Sequence, residues 1–217
     1  MTGPSGSSRS SSVIDGWLAA NREKLVAWRR QIHAHPELSR QEVATTDLVM
    51  AELTALGLSP RRLPLGTGAV CDLGPESDTR IALRADMDAL PVCEAVNIAW
   101  KSINEGVMHA CGHDAHTTCL LGAAKILNEL KNDFEGTILL IFQPGEEKAP
   151  GGARLMLEDG LFADIEPEII LAQHVSVDYP TGTMGFRPGM IMASADEIHV
   201  KIHGKGGHGA LPHLVND

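Results

Sequence analysis

The sequence is poor in cysteine, in aromatic residues, in basic charge and in long apolar runs. Four cysteines, Cys71, Cys93, Cys111 and Cys119, in 217 residues are too sparse for the disulfide framework of a small secreted domain. A reduced, cytoplasmic protein is expected, and the even count leaves one extracellular disulfide open. Aromatics make up only 4%, so the core must be mostly aliphatic. Eighteen Lys and Arg stand against 28 Asp and Glu, a net charge of −10. That balance is wrong for gripping a phosphate backbone, so no nucleic-acid partner is expected. The tightest apolar run, Ile138 to Phe142, falls far short of the ~20 residues of a membrane span, and no membrane partner is expected. The N-terminus lacks the basic start and apolar centre of a secretory signal.

What is present is ordinary globular material, 43% hydrophobic and 21% charged, which excludes wholesale disorder. A chain of this size buries roughly 70% of its unfolded surface, enough for one full domain and part of a second. Residues 1–13 are rich in Ser, Gly and Pro and are expected to form a disordered tail. A helix follows, with Leu18, Leu25, Trp28 and Ile32 on one face, ending near His35 because Pro36 disfavours helix at the residue before it. A second helix is expected from Gln41 to Leu56, with Leu48, Ala51 and Ala55 inward and Gly57 as its stop.

The period then changes. Strands are expected at Gly68–Leu73, Thr79–Ala85, Thr137–Phe142 and Glu168–Ala172, interleaved with helices at Leu120–Leu130 and Ala153–Glu158. Apolar strands alternating with helices predict an α/β domain over residues 14–191, with a largely parallel sheet flanked by helices. From Asp196 to His203, Ile198, Val200 and Ile202 alternate with polar residues, as in a half-exposed strand. Residues 192–217 are therefore expected to begin a second domain.

Four constellations could carry chemistry. His109, Cys111, His113 and His116 are clustered, and Cys, His and carboxylates are the usual ligands of zinc and related divalent ions. Glu146 and Glu147 follow an apolar strand, and Pro144 and Gly145 break it, so both carboxylates could serve one cavity. One would bind metal and the other move protons. A solvated acidic loop explains the same pair. His174 lies at another strand end; a core histidine is the plain alternative. Asp86 and Asp88 could ligate metal or orient a ligand histidine, or simply cap a turn. A further segment, Gly204 to Gly209, matches G-x-G-x-x-G, but Pro212 stands where a dinucleotide-binding helix should run.

In order along the chain, Arg30–Leu38, Arg84–Pro91, Met108–His116, Phe142–Glu147, His174–Val175 and Gly204–His213 resemble the M20 family of metallopeptidases and amidohydrolases. The closest branch holds N-acyl-amino-acid amidohydrolases, hippurate hydrolases and plant auxin-conjugate hydrolases. The resemblance covers about residues 16–217. It implies a zinc-peptidase-like catalytic domain followed by the first strand of an α+β lid and dimerisation domain. It implies a site for two divalent ions (Zn, Mn or Co) with Cys111, His113, Glu147 and His174 as ligands. Glu146 matches the general base that activates water and then protonates the leaving amine. Asp88 matches the supporting carboxylate, with Asp86 a weaker match, and His208 resembles a lid histidine that reaches a partner subunit's site in related dimers and steadies the oxyanion.

Two departures stand out. Gly145 replaces the alanine usual before the paired glutamates, and the family runs to nearly twice this length. The resemblance therefore implies a catalytic domain that is incomplete here, lacking a returning segment with one more histidine ligand. The expected function is metal-dependent hydrolysis of N-acyl amino acids or related small amides, by a homodimer formed through the lid. The alternatives are an inactive fragment that only binds and, from the glycine-rich segment, a nucleotide-binding oxidoreductase.

Overall fold

The computed structural model describes residues 5–194, 196 and 198–216. Residues 1–4 of the expected tail, and Ala195 and Glu197, lie outside the described residues. Two compact units are present, Met1–Val177 and Asp178–Asp217.

The first unit opens with helix α1, Ser5–Ala34, which starts inside the segment whose composition predicts a tail. Serine is a middling helix former, but lengthening an existing helix costs far less than nucleating one. The inward face of α1 carries Trp17, Trp28 and Ile32, while Leu18, expected among them, is 42% exposed. Adjacent helix positions point about 100° apart, so the choice of Trp17 for the core turns Leu18 away.

Helix α2, Val43–Ala55, buries Thr45, Thr46, Val49 and Leu53. Ala51 and Ala55 face solvent, contrary to expectation. Alanine has little apolar area to gain from burial, so Val49 and Leu53 set the helix's rotation. The start of α2 is capped by Glu37, whose carboxylate accepts from the Ala44 and Thr45 N–H groups at 2.9 Å each. Those are donors a helix start leaves unpaired.

Five strands form one sheet: β1 (Arg61–Arg62), β2 (Ala69–Leu73), β3 (Arg80–Asp86), β4 (Thr137–Gln143) and β5 (Ile169–Ala172). Their order is β1-β2-β4-β3-β5. β3 runs parallel to both β4 and β5. β2 joins β4 antiparallel, and β1 joins β2 antiparallel. The α/β class is as expected, with an antiparallel flank added to the parallel strands. β1 is too short for its residue pattern to announce it. Parallel neighbours need a crossover; helix α3 (His113–Glu129) lies between β3 and β4 in sequence, and α4 (Gly152–Glu158) between β4 and β5.

Every residue of β4 is buried, because both faces of the sheet are covered. Ile138, Leu140 and Phe142 join Trp28, Leu53 and Leu121 in one core cluster. The alternate residues Leu139 and Ile141 join Met156 in the other, as period-two side chains must. The edge strand β5 is exposed along its length.

The second unit has little regular structure among the described residues: one 3-10 turn, Pro212–Leu214, and a bridge between Lys205 and Asn216. No strand forms among the described residues of the expected segment Asp196–His203, and Ile198, Val200 and Ile202 are about four-fifths exposed, at 82%, 78% and 84%. An alternating pattern makes a strand only where a neighbour takes up its N–H and C=O groups. Gly204–Gly209 likewise lacks the strand before it and the helix after it that a dinucleotide loop requires. No helix among the described residues is long and apolar enough to cross a membrane.

Candidate metal centre

The C-terminal ends of β3, β4 and β5 and the start of α3 bring the predicted residues of the first unit together, where α/β sheets place their sites. Cys111 and His113 flank Gly112, the N-cap of α3, which has φ +87°. That left-handed conformation suits glycine. An added Cβ would also meet Val175 Cγ2 at 2.4 Å. The backbone can therefore turn sharply between the two residues and present both to one place.

Cys111 Sγ lies 3.2 Å from His174 Nε2. The donor atoms of Cys111, His113 and His174 fall within 4.8 Å of one another, as do those of His113, Glu146 and Glu147. His113 belongs to both triads. Its Nε2 lies 3.7 Å from Glu147 Oε1, and its Nδ1 lies 3.3 Å from Asp88 Oδ1. His174 Nδ1 donates to the Val175 carbonyl at 2.6 Å. Both imidazoles thus turn Nε2 inward.

The carboxylates are held from behind. Asp88 Oδ2 accepts from Ser39 Oγ at 2.6 Å and from the Glu147 N–H at 2.9 Å. Burial opposes its charge, but the His113 ring and these donors hold its pKa down at about 2. Asp86 Oδ1 meets His116 Nδ1 at 2.6 Å, and its Oδ2 meets Arg84 Nη1 at 2.8 Å. Both oxygens of Asp86 are thus engaged. Burial and the Glu147 charge raise the pKa of Glu146. Burial and the Glu147 charge also push the Cys111 thiol up to about 12.

The residues fit a divalent cation. Both ring nitrogens of buried His113, Glu147 Oε1 and Asp88 Oδ1 have no hydrogen-bond partner, and leaving such atoms unpaired is costly. A thiol, two imidazoles and paired carboxylates form a mixed S/N/O donor set with surplus negative charge, which a cation neutralises.

Two supporting residues escape a reading of the sequence. Glu42, fully buried, accepts at Oε1 from the Arg40 N–H at 2.9 Å and the Gly145 N–H at 2.7 Å. It thereby ties the turn before α2, where Arg40 has φ +65°, to the turn before the paired glutamates. Burial raises its pKa. Gly152 packs against the same turn: an added Cβ would fall 1.7 Å from the Pro144 carbonyl oxygen. Glu42 reads as one more polar residue near a helix start, and Gly152 as a loop glycine. His109, in the predicted cluster, is buried and 6.4 Å from His33 between ring centroids; it belongs to neither triad. Burial holds its pKa down at about 4. His208 lies in the second unit and is exposed, its Nδ1 accepting from the Ala210 N–H at 3.1 Å.

Fold and donors define an α/β domain with a candidate metal centre at its strand ends. The sequence model of peptidase family M20/M25/M40 matches residues 82–217, and the chain belongs to that family. It is 46% identical over 197 residues to a protein of Rhodococcus jostii (strain RHA1) named putative glutamate–cysteine ligase 2-3, covering 91% of this chain and 24% of that protein. It is 42% identical over 194 residues to the N-acyl-L-amino acid amidohydrolase of Geobacillus stearothermophilus, covering 89% of this chain and 52% of that one. Among solved structures, the Bacillus subtilis YXEP protein, described as a dinuclear metal binding peptidase from the M20 family, matches with TM-score 0.73 at 41% identity. That match covers 78% of this chain and 47% of the other. The chain spans about half the length of the amidohydrolase and a quarter of the ligase-named protein.

Proposed function

We propose that this chain carries the metal site of an amidohydrolase that hydrolyses N-acyl amino acids or related small amides. The observation that supports this best is the convergence of Cys111, His113 and His174 beside Glu146 and Glu147. Cys111, His113, Glu147 and His174 would hold two divalent ions, Zn, Mn or Co. The amidohydrolase name of a relative at 42% identity supplies the substrate class.

Bound divalent ions polarise the amide carbonyl and lower the pKa of water. Glu146 accepts a proton as the water oxygen bonds to the carbonyl carbon. It then delivers that proton to the amide nitrogen as the C–N bond breaks, so acid and amine leave in balance. Asp88 Oδ1, 3.3 Å from His113 Nδ1, would orient that ring and leave Nε2 for the ion. Residues 192–217 would begin a lid and dimerisation domain. In a cytoplasmic homodimer, His208 would reach the partner subunit's site and act there as donor to the developing oxyanion.

A panel of N-acetyl and N-benzoyl amino acids, assayed for free amine, tests this. Turnover is expected on at least one member, falling to background after dialysis against a chelator and returning with Zn²⁺, Mn²⁺ or Co²⁺. Turnover indifferent to chelation contradicts the proposal. Metal bound tightly with no turnover on any member identifies the chain as a binding module instead.

A further inference from the structure

His116 sits one helical turn after His113 on α3 and is 1% exposed. By distance alone it forms a third donor triad with Asp86 and His113, and its ring lies 4.6 Å from that of His174 between centroids. Its hydrogen bonds argue for another role. The Val175 backbone N–H points at His116 Nε2 at 2.8 Å. A backbone N–H only donates, so Nε2 is the acceptor and its lone pair is taken. The proton of the neutral ring then sits on Nδ1, which faces Asp86 Oδ1 at 2.6 Å. Neither nitrogen is left for an ion.

The residue gripped is the one that aims His174. Val175 is held at its N–H by His116 and at its carbonyl by His174 Nδ1. That pair of bonds turns His174 Nε2 toward Cys111. Val175 also packs where a side chain on Gly112 would stand. The support continues backward, from Asp86 to Arg84 Nη1 at 2.8 Å and from Arg84 Nε to Gln143 Oε1 at 2.8 Å. β5 pairs with β3 over four residues, so the segment that follows it needs this second anchor.

We propose that His116 is a positioning residue for His174, acting through the Val175 N–H; this rests on the metal-site reading above. The test is a Co²⁺ titration of the whole chain, followed by its visible absorption. His116→Asn keeps an amide near the Nδ1 position but offers Val175 no acceptor, whereas His116→Gln places a carbonyl near the Nε2 position. His116→Asn is expected to weaken Co²⁺ binding by about 10- to 100-fold. His116→Gln should restore most of the affinity. In a His174→Ala background His116→Asn should cost nothing further, because the two act as one unit.

Equal loss in both variants, adding to the loss in His174→Ala, would make His116 a ligand and overturn the inference. So would wild-type affinity in His116→Asn. A wild-type chain that binds no Co²⁺ overturns the metal-site reading and the inference together. A second measurement needs no variant: ¹⁵N shifts of the Zn²⁺-loaded chain should show His116 protonated at Nδ1, with Nε2 still coupled to the Val175 amide. A metallated Nε2 overturns the inference.

Discussion

Glu146→Gln is expected to lower kcat for amide hydrolysis by about 10²- to 10⁴-fold, the usual worth of a positioned general base, while metal content stays at the wild-type level. The substitution keeps shape and removes the carboxylate proposed to accept the proton. The backbone around it is fixed independently. Glu42 holds the Gly145 N–H at 2.7 Å, and Asp88 holds the Glu147 N–H at 2.9 Å. The side chain at 146 can therefore change without moving Glu147. Glu147→Gln should do the opposite and release metal. Elemental analysis beside steady-state kinetics separates the two. If Glu146→Gln loses metal, the two glutamates have exchanged roles, and if kcat holds within about threefold, Glu146 is not the base.

Gly152→Ala is expected to destabilise the first unit by about 3 kcal/mol or more, at or beyond the upper end for overpacking. The sign is informative. Within a helix, glycine to alanine ordinarily stabilises by roughly 1 kcal/mol. Here the new Cβ would lie 1.7 Å from the Pro144 oxygen and 2.8 Å from its carbonyl carbon. The Gly152 N–H already donates to the Gly145 carbonyl at 2.8 Å. The two atoms it meets are backbone, so no side chain can rotate aside to relieve the clash, and the turn carrying Glu146 and Glu147 must move. For a chain of this length the midpoint should fall by about 6–12 °C. Gly16→Ala, with no atom within 4 Å of the new Cβ, is the control and should be neutral or mildly stabilising. An unchanged melting temperature in Gly152→Ala contradicts the packing described.

The sequence made the donors and the supporting Asp88 visible and left the other supports hidden. Cys111 and His113 stand out because they are close in sequence, and Glu146 and Glu147 because Pro144 and Gly145 end an apolar strand. The strands β2 to β5 were legible because burial on both faces leaves runs such as Ile138 to Phe142. The rest depends on contacts between distant segments. Nothing near His116 announces the Val175 N–H 59 residues away, and nothing near Glu42 announces Gly145, 103 residues away. Asp86 illustrates the same limit: its spacing from Asp88 leaves open a ligand or a carboxylate that orients a histidine, and only the fold brings Arg84 and His116 to its two oxygens. The alternation at Ile198, Val200 and Ile202 erred in the other direction, since a strand pattern specifies a face and supplies no neighbour.

Metal content of the purified chain by elemental analysis, compared with that of Cys111→Ala, tests the central claim most directly. The site described here predicts close to two divalent ions per chain, falling by at least one in the variant, because Cys111 Sγ is the thiol that meets His174 Nε2. Near-zero metal in both proteins after incubation with Zn²⁺, Mn²⁺ and Co²⁺ would contradict it.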